Sequence, residues 1–586
     1  MSFDGQQRIW RDRAVSTLEQ RLQKCRQSGS SADDLLFSYL PWSINVCLVE
    51  ARTPSADPHP VFELVDRNGR LHEIGISICY ACNVFTWLNQ DRLPAFHLAT
   101  PSAATAEKVR DSLDYIRGVD AFMNAYSGAS AYAIRKGFQS IGAEDNTVVI
   151  FSELMDYNSV FLTANVDTIY TVAAIDLTKG PMVIEVPPRA IGTLNDMWFG
   201  WIIDIGAPGP DRGQGGKYLI LPPDYDGPLP DNGYFVGKSK TNKALYAVRA
   251  NLENNDPKPA VANIKERLKI YPYTPGGYGT SIATALDGKI RLEKDPPIPP
   301  TNFIEGSGKA FNTVPPSDYS FFEMINELVQ SEPATSTSPE VLGQLAAIGI
   351  VKGKPFNPDA RMKKILTDAA AVGSAAGRMF NWRAYEVPGW TFYPDSMWAT
   401  MMWEGGYTFE TPPAPVSKEG YFKPIPATGA RTLNARTGFY YGYTMDSPGM
   451  IMQMPGVGSQ YLMGFIDADK NYFDGSKTYR VTLPKDIPAA AFWSFTVYDN
   501  QTRSLLATPQ RYPRAGSQSY PTPAAVAEAD GATTVYFGPT KPADVKDGNW
   551  IQTDPKKGWF TLLRLYSPLE PFFTKEWRPG EVELVK

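Results

Sequence analysis

Hydrophobic and polar side chains alternate along residues 492–498, a stretch rich in aromatic and β-branched residues. This period of two predicts a half-buried β-strand, and the pair Asp499-Asn500 predicts the turn that ends it. The two faces of the strand are Trp493, Phe495 and Val497 on one side, and Phe492, Ser494, Thr496 and Tyr498 on the other. The first face is apolar and indicates core, whereas the hydroxyl-bearing face suits a neighbouring sheet or the wall of a pocket.

Further short runs of strand composition are separated by Gly, Pro, Asn and Asp, which is typical of a β-sandwich or barrel. In the first half of the chain they are residues 147–151, 159–162, 170–176, 182–186, 198–205 and 218–221. Residues 558–566 alternate again, and Arg564 lies between apolar neighbours there, either snorkelling or pairing with a buried carboxylate. The turn pairs Asn68-Gly69 and Asp474-Gly475 each predict a β-hairpin.

Helical periodicity predicts four helical segments, at residues 10–27, 104–139, 242–271 and 321–377. The last of them is rich in Ala and Gly, so we expect its helices to pack closely. No apolar run reaches the roughly 20 residues that a membrane-spanning helix needs, and we therefore expect no membrane span.

The chain has 586 residues, a net charge of -5 and 12% aromatic residues. This length suits several domains. Without a basic surplus, nucleic acid is not an expected partner. The N-terminal sequence MSFDGQQRIWRDRAV lacks the apolar segment of a secretory signal, so we expect a cytoplasmic protein.

Histidine occurs only at positions 59, 72 and 97, and cysteine only at positions 25, 47, 79 and 82. Residues 98–586 therefore cannot build, by themselves, a Ser-His-Asp or Cys-His nucleophile or a His-rich metal centre. Cys79 and Cys82 form a CxxC pair, which zinc could use only with two further ligands. Buried structural thiols are the favoured interpretation, and we predict no metal site.

Several longer segments resemble a pair of families. Residues 165–187, NVDTIYTVAAIDLTKGPMVIEVP, and 215–223, GGKYLILPP, are similar to the DUF1254 family. Residues 473–499, FDGSKTYRVTLPKDIPAAAFWSFTVYD, and 548–568, GNWIQTDPKKGWFTLLRLYSP, resemble its usual companion, the DUF1214 family. The resemblance covers about residues 105–580 of the chain, and many relatives are exported.

The resemblance implies a mainly β fold with helical insertions. We expect an N-terminal α+β extension over residues 1–100 and an immunoglobulin-like β-sandwich with flanking helices over 104–300. A small helical module is expected over 317–380, followed by a C-terminal jelly-roll β-sandwich over 381–586. The resemblance implies no particular reaction, because the biochemical role of these families is largely unassigned.

Without imidazole or thiol, acid–base chemistry in the main body of the chain falls to carboxylates and phenols. The candidate catalytic residues are Asp167, Tyr170, Tyr498 and Asp499, and the candidate substrate-binding residues are Asn165, Phe492, Trp493 and Arg564. A carboxylate beside a phenol in a desolvated cleft can titrate near neutral pH. The alternative is that these side chains cap turns and complete hydrogen bonds in the core.

Asp467, Asp469 and Asp474 offer oxygen ligands at the short spacing that calcium favours, although solvated Asp-rich turns give the same pattern. Residues 98–586 carry no dinucleotide fingerprint and no haem or iron–sulfur ligand set, so we expect no cofactor. The expected partner is a small-molecule ligand, and a homo-oligomer is one alternative for the assembly.

Two functions fit these observations. The first is a cofactor-free hydrolase, lyase or isomerase that acts on a small, largely apolar or aromatic molecule in an aromatic-lined pocket. The alternative is a non-catalytic carbohydrate- or lipid-binding protein, whose jelly roll holds the ligand on an aromatic platform. We favour the enzyme, because three domains exceed what simple binding demands.

Overall fold

The computed structural model describes residues 101–586, apart from 401–404, 413–415, 418–422, 425–428 and 452. It describes the backbone alone of residues 47–50, 61–65, 71–75, 96–97, 100, 416–417 and 423–424. The chain divides into two compact units, Met1–Leu93 and Pro94–Lys586.

The first unit contains a three-stranded antiparallel sheet of Cys47–Glu50, Val61–Val65 and Leu71–Gly75. The last two strands pair on either side of Asn68-Gly69, so the predicted hairpin is confirmed. The helix predicted over residues 10–27 lies outside the described residues. The side chains of all four cysteines, including the CxxC pair, and of all three histidines also lie outside them.

The described residues of the second unit form nine α-helices. They are Ala103–Gln139, Lys258–Arg267, Ile282–Leu286, Ser320–Ser331, Pro339–Ala347, Ala360–Trp382, Leu433–Gly442, Pro448–Ile451 and Glu570–Phe573. Single 3-10 turns occur at Ala384–Glu386, Gly406–Thr408 and Asp547–Asn549. The helix predicted over residues 104–139 is confirmed, and the segment predicted over 321–377 consists of three helices.

None of the helices in the described part of the chain has both the length and the apolar character of a membrane span.

The helix Ala103–Gln139 begins at Ser102, whose hydroxyl accepts a hydrogen bond from the amide of Thr105. It packs against the helix Ala360–Trp382 where small residues allow close approach. A Cβ atom on Gly118 would lie only 2.9 Å from the Cβ of Ala369. The predicted close packing of the Ala- and Gly-rich helices is therefore confirmed.

A six-stranded sheet has the strand order Trp201–Ile205, Ile191–Asp196, Lys243–Ala250, Ile169–Asp176, Val148–Ile150 and Phe303–Glu305. A first four-stranded sheet has the order Phe235–Lys238, Gly216–Leu221, Met182–Val186 and Lys269–Pro272. One apolar cluster contains side chains of both sheets, such as Ile175 and Ile203 of the larger sheet and Ile184 and Ile220 of the smaller. Burial of these side chains holds the two sheets together.

The helix predicted over residues 242–271 is wrong for most of its length. Lys243–Ala250 is a strand, Lys258–Arg267 is a short helix, and Lys269–Pro272 is again a strand. The sequence KALYAVRA of the first strand has a continuous apolar run over residues 244–248, which periodicity alone cannot assign to a strand or to a helix. Its two neighbours in the sheet supply the hydrogen-bond partners that make it a strand.

A five-stranded sheet in the C-terminal part has the order Trp398–Ala399, Ser459–Gly464, Trp559–Pro568, Ala489–Asp499 and Arg514–Gly516. A second four-stranded sheet has the order Trp550–Gln552, Thr533–Gly538, Tyr479–Leu483 and Glu583–Leu584. The strand predicted over residues 492–498 is confirmed within Ala489–Asp499. Its apolar face joins a cluster that also contains Val481 and Val535 of the second four-stranded sheet.

The hairpin predicted at Asp474-Gly475 is wrong. The strand Tyr479–Leu483 that follows it pairs with Thr533–Gly538 and Glu583–Leu584, both later in the chain. Asp474 itself forms an isolated bridge with Gly558. The turn therefore brings the chain to distant partners, which local turn chemistry cannot specify.

Short two-stranded ladders complete the sheets of the described residues. They pair Phe96–His97 with Thr100–Pro101, Ser159–Val160 with Phe311–Asn312, Glu410–Thr411 with Ala430–Arg431, and Val416–Ser417 with Lys423–Pro424. A further apolar cluster includes Phe122, Trp198, Phe321, Tyr441 and Phe560. The second unit is thus β-rich with several sheets, and this cluster joins its sheets to its helices.

Candidate functional site

The hydroxyl-bearing face of the strand Ala489–Asp499 lies against residues 163–168, which lead into the strand Ile169–Asp176. Ser494 Oγ donates a hydrogen bond of 2.7 Å to Oδ2 of Asp167. The hydroxyl of Tyr498 donates one of 2.7 Å to the carbonyl of Ala164. This face is therefore covered by another part of the chain.

Asp167 is fully buried, and three side chains bind its carboxylate. Arg514 Nε donates to Oδ1 at 2.6 Å, while Ser494 Oγ and the Tyr566 hydroxyl donate to Oδ2 at 2.7 and 3.0 Å. We call Asp167, Ser494, Arg514 and Tyr566 the ion-pair cluster. Burial alone would raise the pKa of Asp167, but the charges of Arg514 and Arg564 and the hydrogen bonds lower it below its ordinary value.

Asn165 shapes the turn that presents Asp167. Its Oδ1 accepts hydrogen bonds from the amides of Asp167 and Thr168, at 2.8 and 3.2 Å. Its Nδ2 donates to the hydroxyl of Tyr566 at 2.6 Å. These contacts are those of an Asx turn tied to the opposite sheet.

Tyr498 and Asp499 are also held by internal hydrogen bonds. The Tyr498 hydroxyl accepts from Arg564 Nη1 at 2.6 Å in addition to its bond to Ala164, and burial raises the pKa of Tyr498 to about 12. Asp499 Oδ2 pairs with Lys557 Nζ at 2.6 Å, and Oδ1 accepts from the amide of Gln501 at 2.6 Å. These contacts favour structural roles for both residues.

Phe492 and Trp493 are buried on opposite faces of their strand. Phe492 stacks on Tyr566 with the ring centroids 4.0 Å apart. Trp493 packs in the apolar cluster between the two C-terminal sheets. Both rings are 7% exposed, so they do not form an open platform.

Arg564 is buried and donates mainly to neutral oxygens. Nη1 donates to Thr496 Oγ1 at 3.0 Å, and Nη2 donates to the carbonyl of Thr163 at 2.9 Å. Its guanidinium lies 5.3 Å from the centroid of the Tyr461 ring. Among the described residues it forms no ion pair within 4.0 Å, and its charge reaches Asp167 only at longer range.

A cavity of about 180 Å³ lies where the six-stranded sheet meets the C-terminal part of the chain. Its floor is one face of the six-stranded sheet, where Tyr170 pairs with Arg249 and Thr193 pairs with Asp204 across neighbouring strands. Side chains from other elements cover it, namely Phe161, Tyr443, Met445, Ser447, Met450, Ser459, Tyr461 and Arg564. Residues that are far apart in sequence therefore line one cavity.

Three of the residues predicted for the site line this cavity, namely Asn165, Tyr170 and Arg564. The other five, which are Asp167, Tyr498, Asp499, Phe492 and Trp493, lie outside its lining. Burial raises the pKa of Tyr170 to about 12, so its phenol stays protonated near neutral pH. Its hydroxyl makes no hydrogen bond to the residues that the structure describes and is free to donate one.

Arg249 provides the positive charge at one end of the cavity. It is 9% exposed, and Nη2 donates to Ser459 Oγ at 3.0 Å. Its guanidinium lies 5.2 Å from the centroid of the Tyr566 ring. Nη1 has no hydrogen-bond partner in the described part of the chain.

Asp204 provides the carboxyl group at the other end. Its Oδ2 accepts from the amide of Gly449 at 2.8 Å, and Oδ1 has no partner among the described residues. Burial raises the pKa of Asp204 to about 6. Burial, together with the charge of Asp204, also raises the pKa of nearby Asp446 well above its ordinary value.

Sequence reasoning missed Asp204, Arg249 and Arg514. Asp204 and Arg514 are each the single charged residue of an otherwise apolar or small-residue strand, WIIDI and RAG, and Arg249 follows the apolar run of KALYAVRA, whose other charged residue is Lys243 at its start. A charged side chain in such a strand is costly unless the fold uses or pairs it. The sequence WIIDI lies in a predicted strand, so its buried charge could have been recognised. Residues 242–271 were predicted to be helical, so Arg249 was not recognised as a charged residue in a strand.

Two of the three aspartates considered for calcium, Asp467 and Asp474, cap turns. Asp467 Oδ1 accepts from the amides of Asp469 and Asn471, and Asp474 Oδ1 accepts from the amide of Ser476. Within the described residues, no group of three or more His, Cys, Asp or Glu side chains is placed to hold a metal ion.

The second unit is thus a β-rich structure with a cavity, lined in part by charged residues, at the junction of two β regions. These regions coincide with two family matches: residues 146–272 match DUF1254, and residues 458–570 match DUF1214, both described as proteins of unknown function. The chain carries both family regions, so the resemblance expected from its sequence is confirmed.

Two solved structures are similar to the chain over most of its length. The VPA0106 protein from Vibrio parahaemolyticus has 16% sequence identity and a TM-score of 0.44, over 81% of this chain and 100% of that one. A protein from Burkholderia cenocepacia has 12% identity and a TM-score of 0.33, over 82% of this chain and 96% of that one. Comparison with curated proteins gives no match.

Proposed function

We propose that the protein is a cofactor-free enzyme that moves protons on a small, largely apolar molecule held in the cavity. In this proposal Asp204 is the catalytic acid or base. The observation that carries the proposal is that Asp204 lines the cavity, is 2% exposed, and forms no ion pair with the described basic residues.

The environment of Asp204 supports proton transfer. A carboxyl group with a pKa of about 6 exchanges its proton readily near neutral pH, which suits general acid–base catalysis. Asp167, in contrast, has a lowered pKa and a salt bridge to Arg514, so it stays ionised. The role that the sequence suggested for Asp167 therefore fits Asp204 better.

The lining of the cavity supports a small substrate. Apolar side chains such as Met155, Phe161 and Leu245 form much of the wall. A cavity of about 150 Å³ can hold benzene, so a cavity of about 180 Å³ suits a one-ring or short-chain molecule. The Tyr170 phenol can donate a hydrogen bond to a developing oxyanion.

For the two β regions we infer the sandwich architectures that the resemblance implies, immunoglobulin-like for residues 146–272 and jelly-roll for the C-terminal part. Two pairs of sheets that each share an apolar cluster support this inference. The cavity would then lie at the contact between the two sandwiches, a position that ligand sites often occupy.

The proposal is tested by incubating the purified full-length protein with phenyl acetate, 3-phenyllactate and phenylpyruvate in isotope-labelled water. Hydrolysis inserts ¹⁸O from H₂¹⁸O, elimination removes the mass of water, and isomerisation introduces deuterium from D₂O at carbon. We expect turnover of at least one class, and a loss of about 100-fold or more in Asp204→Asn. Asp224→Asn, on an exposed aspartate, is the matched control.

Turnover that Asp204→Asn leaves unchanged would show that Asp204 is not the proton-transfer group. If native mass spectrometry instead shows a ligand retained in a fixed ratio, and no probe or retained ligand is converted, the non-catalytic binding protein becomes the better description.

A further inference from the structure

We propose that the ligand of the cavity is a small carboxylic acid whose carboxylate pairs with Arg249. This inference rests on the proposed function only in requiring that the cavity holds a ligand. It names the chemical class of that ligand and the residue that recognises it.

Arg249 is a buried cation without an anionic partner. Its one hydrogen bond to a described side chain goes to the neutral Ser459 Oγ, and no described carboxylate lies within 4.0 Å of its nitrogens. Removing a guanidinium from water is unfavourable unless an anion or several acceptors replace the solvent. A ligand carboxylate would supply this anionic partner.

The charges around Arg249 do not balance. Arg249, Arg514 and Arg564 are three buried guanidinium ions; Arg564 interacts electrostatically with Arg249, and Asp167 with both Arg514 and Arg564. Among the described residues, Asp167 is the one carboxylate that forms an ion pair within 4.0 Å with any of the three. Arg514 forms a salt bridge with Asp167, and both side chains are fully buried. Two positive charges remain on the cavity side of the ion-pair cluster, and an anionic ligand would reduce this surplus.

Hydroxyl groups beside Arg249 complete a set of donors. Ser459 Oγ donates to the Tyr461 hydroxyl at 2.7 Å, which leaves the proton of Tyr461 free to donate elsewhere. Tyr170 lies opposite Arg249 on the neighbouring strand. One guanidinium and two phenols match the two oxygens of a carboxylate, and charge-assisted hydrogen bonds of this kind are strong.

The sheet register fixes how such a ligand would lie. Arg249 pairs with Ile191, and Thr193, two residues further along, pairs with Asp204. From the spacings of strands and residues, the Cα atoms of Arg249 and Asp204 are about 12 Å apart. A carboxylate at Arg249 therefore places the far end of a one-ring or short-chain body near Asp204, where the proposed proton transfer occurs.

The experiment compares acids with their neutral amides by isothermal titration of the full-length protein at pH 7.5. The pairs are benzoate and benzamide, phenylacetate and its amide, and hexanoate and its amide. We expect at least one acid to bind about tenfold or more tightly than its amide. Arg249→Gln should remove this preference, whereas Arg249→Lys should keep part of it, because it retains the charge without the planar fork.

Three further arms make the result specific. Arg189→Gln, at a side chain that is 79% exposed, should bind as the wild type does. Asp204→Asn should retain the preference for acids, because it changes the opposite end of the cavity. Phenyl phosphate tests whether the site prefers a phosphate, and tighter binding of phenyl phosphate than of every acid would overturn the carboxylate assignment.

The outcomes separate this inference from the proposed function. If acids and amides bind equally and the cavity-filling variant Ala247→Phe removes both, the cavity binds ligands but the carboxylate assignment is wrong. If no acid or amide binds, the carboxylate assignment is wrong, and turnover of the three probes above decides the proposed function separately. Circular dichroism shows whether Arg249→Gln folds. If it does not fold, Arg249→Lys provides the test. An acid preference that is unchanged in Arg249→Lys, and acid binding that does not depend on salt, would together overturn the pairing of the ligand carboxylate with Arg249.

Discussion

Asp167 and Asp204 are both buried carboxyl groups, but their neighbours differ. Asp167 has Arg514, Ser494 and Tyr566 as donors, which stabilise its charged form. Asp204 has the amide of Gly449 as its hydrogen-bond donor and a second buried carboxyl, Asp446, nearby. The positive charges and hydrogen bonds around Asp167 therefore lower its pKa, whereas burial raises the pKa of Asp204.

The pH dependence of stability should reveal Asp204. Its pKa in the folded protein, about 6, lies above the ordinary value of 3.8, so the folded state holds the proton more tightly. Stability from this group is present below about pH 4 and is lost as the pH rises through 6, by about 3 kcal/mol in total. Asp204→Asn has no carboxyl group at this position to titrate, so it does not lose this stability. In urea titrations, the free energy of unfolding of the variant minus that of the wild type should increase between pH 4.5 and pH 7.5.

The neighbouring titratable groups are Asp446, Asp211, Tyr218 and Tyr407. They remain in both proteins, but Asp446 interacts with the charge of Asp204, so the difference between variant and wild type reports on Asp204 together with this interaction. A constant difference across this pH range would contradict the raised pKa.

At the scale of elements, glycines set the distance between the helices and their neighbours. A Cβ on Gly377, in the helix Ala360–Trp382, would lie 2.6 Å from Cδ2 of Tyr441. Gly343, in the helix Pro339–Ala347, has no atom within 4 Å of the same position. The same substitution should therefore have opposite effects at the two sites.

We expect Gly377→Ala to lower the free energy of unfolding by about 1–3 kcal/mol, because the ring of Tyr441 must move. Gly343→Ala should raise it by about 0.5–1 kcal/mol, because alanine has the better helix propensity. Urea unfolding of both variants measures this difference. Equal effects of the two substitutions would show that contact with Tyr441 does not limit the packing.

At the scale of the whole molecule, buried hydrogen bonds connect the DUF1254 and DUF1214 regions. Asp167 forms a salt bridge with Arg514, and the carbonyl of Thr163 accepts a hydrogen bond from Arg564. The apolar cluster of Phe122, Trp198, Phe321, Tyr441 and Phe560 also crosses between them. The two regions should therefore unfold as one cooperative unit.

Asp167→Asn should lower the stability of both regions together. It leaves Arg514 buried without its carboxylate, which costs about 3–5 kcal/mol. Hydrogen exchange at increasing urea should show the same loss in the strands Ile169–Asp176 and Trp559–Pro568. Asp224→Asn, on an exposed aspartate, should change neither, and a loss confined to one region would contradict cooperative unfolding.

Local patterns predicted many of the elements correctly. The strand over residues 492–498, the helix over 104–139 and the hairpin around Asn68-Gly69 each have a clear period or turn pair. Lys243–Ala250 was mistaken for helix because its apolar run has no period of two residues and a helix follows closely. Three candidate residues, Asn165, Tyr170 and Arg564, line the cavity, and their roles stay a prediction.

The sequence by itself determined the alternating strands, the apolar faces, the family resemblance and the lack of His and Cys in residues 98–586. Only the tertiary structure decided which carboxylate is paired with Arg514 and which lines the cavity. The reason is physical: periodicity and turn chemistry act over a few residues, whereas the pKa of a buried group depends on burial and on charges from distant strands. Asp167 and Arg514 are 347 residues apart in the chain and 2.6 Å apart in the fold.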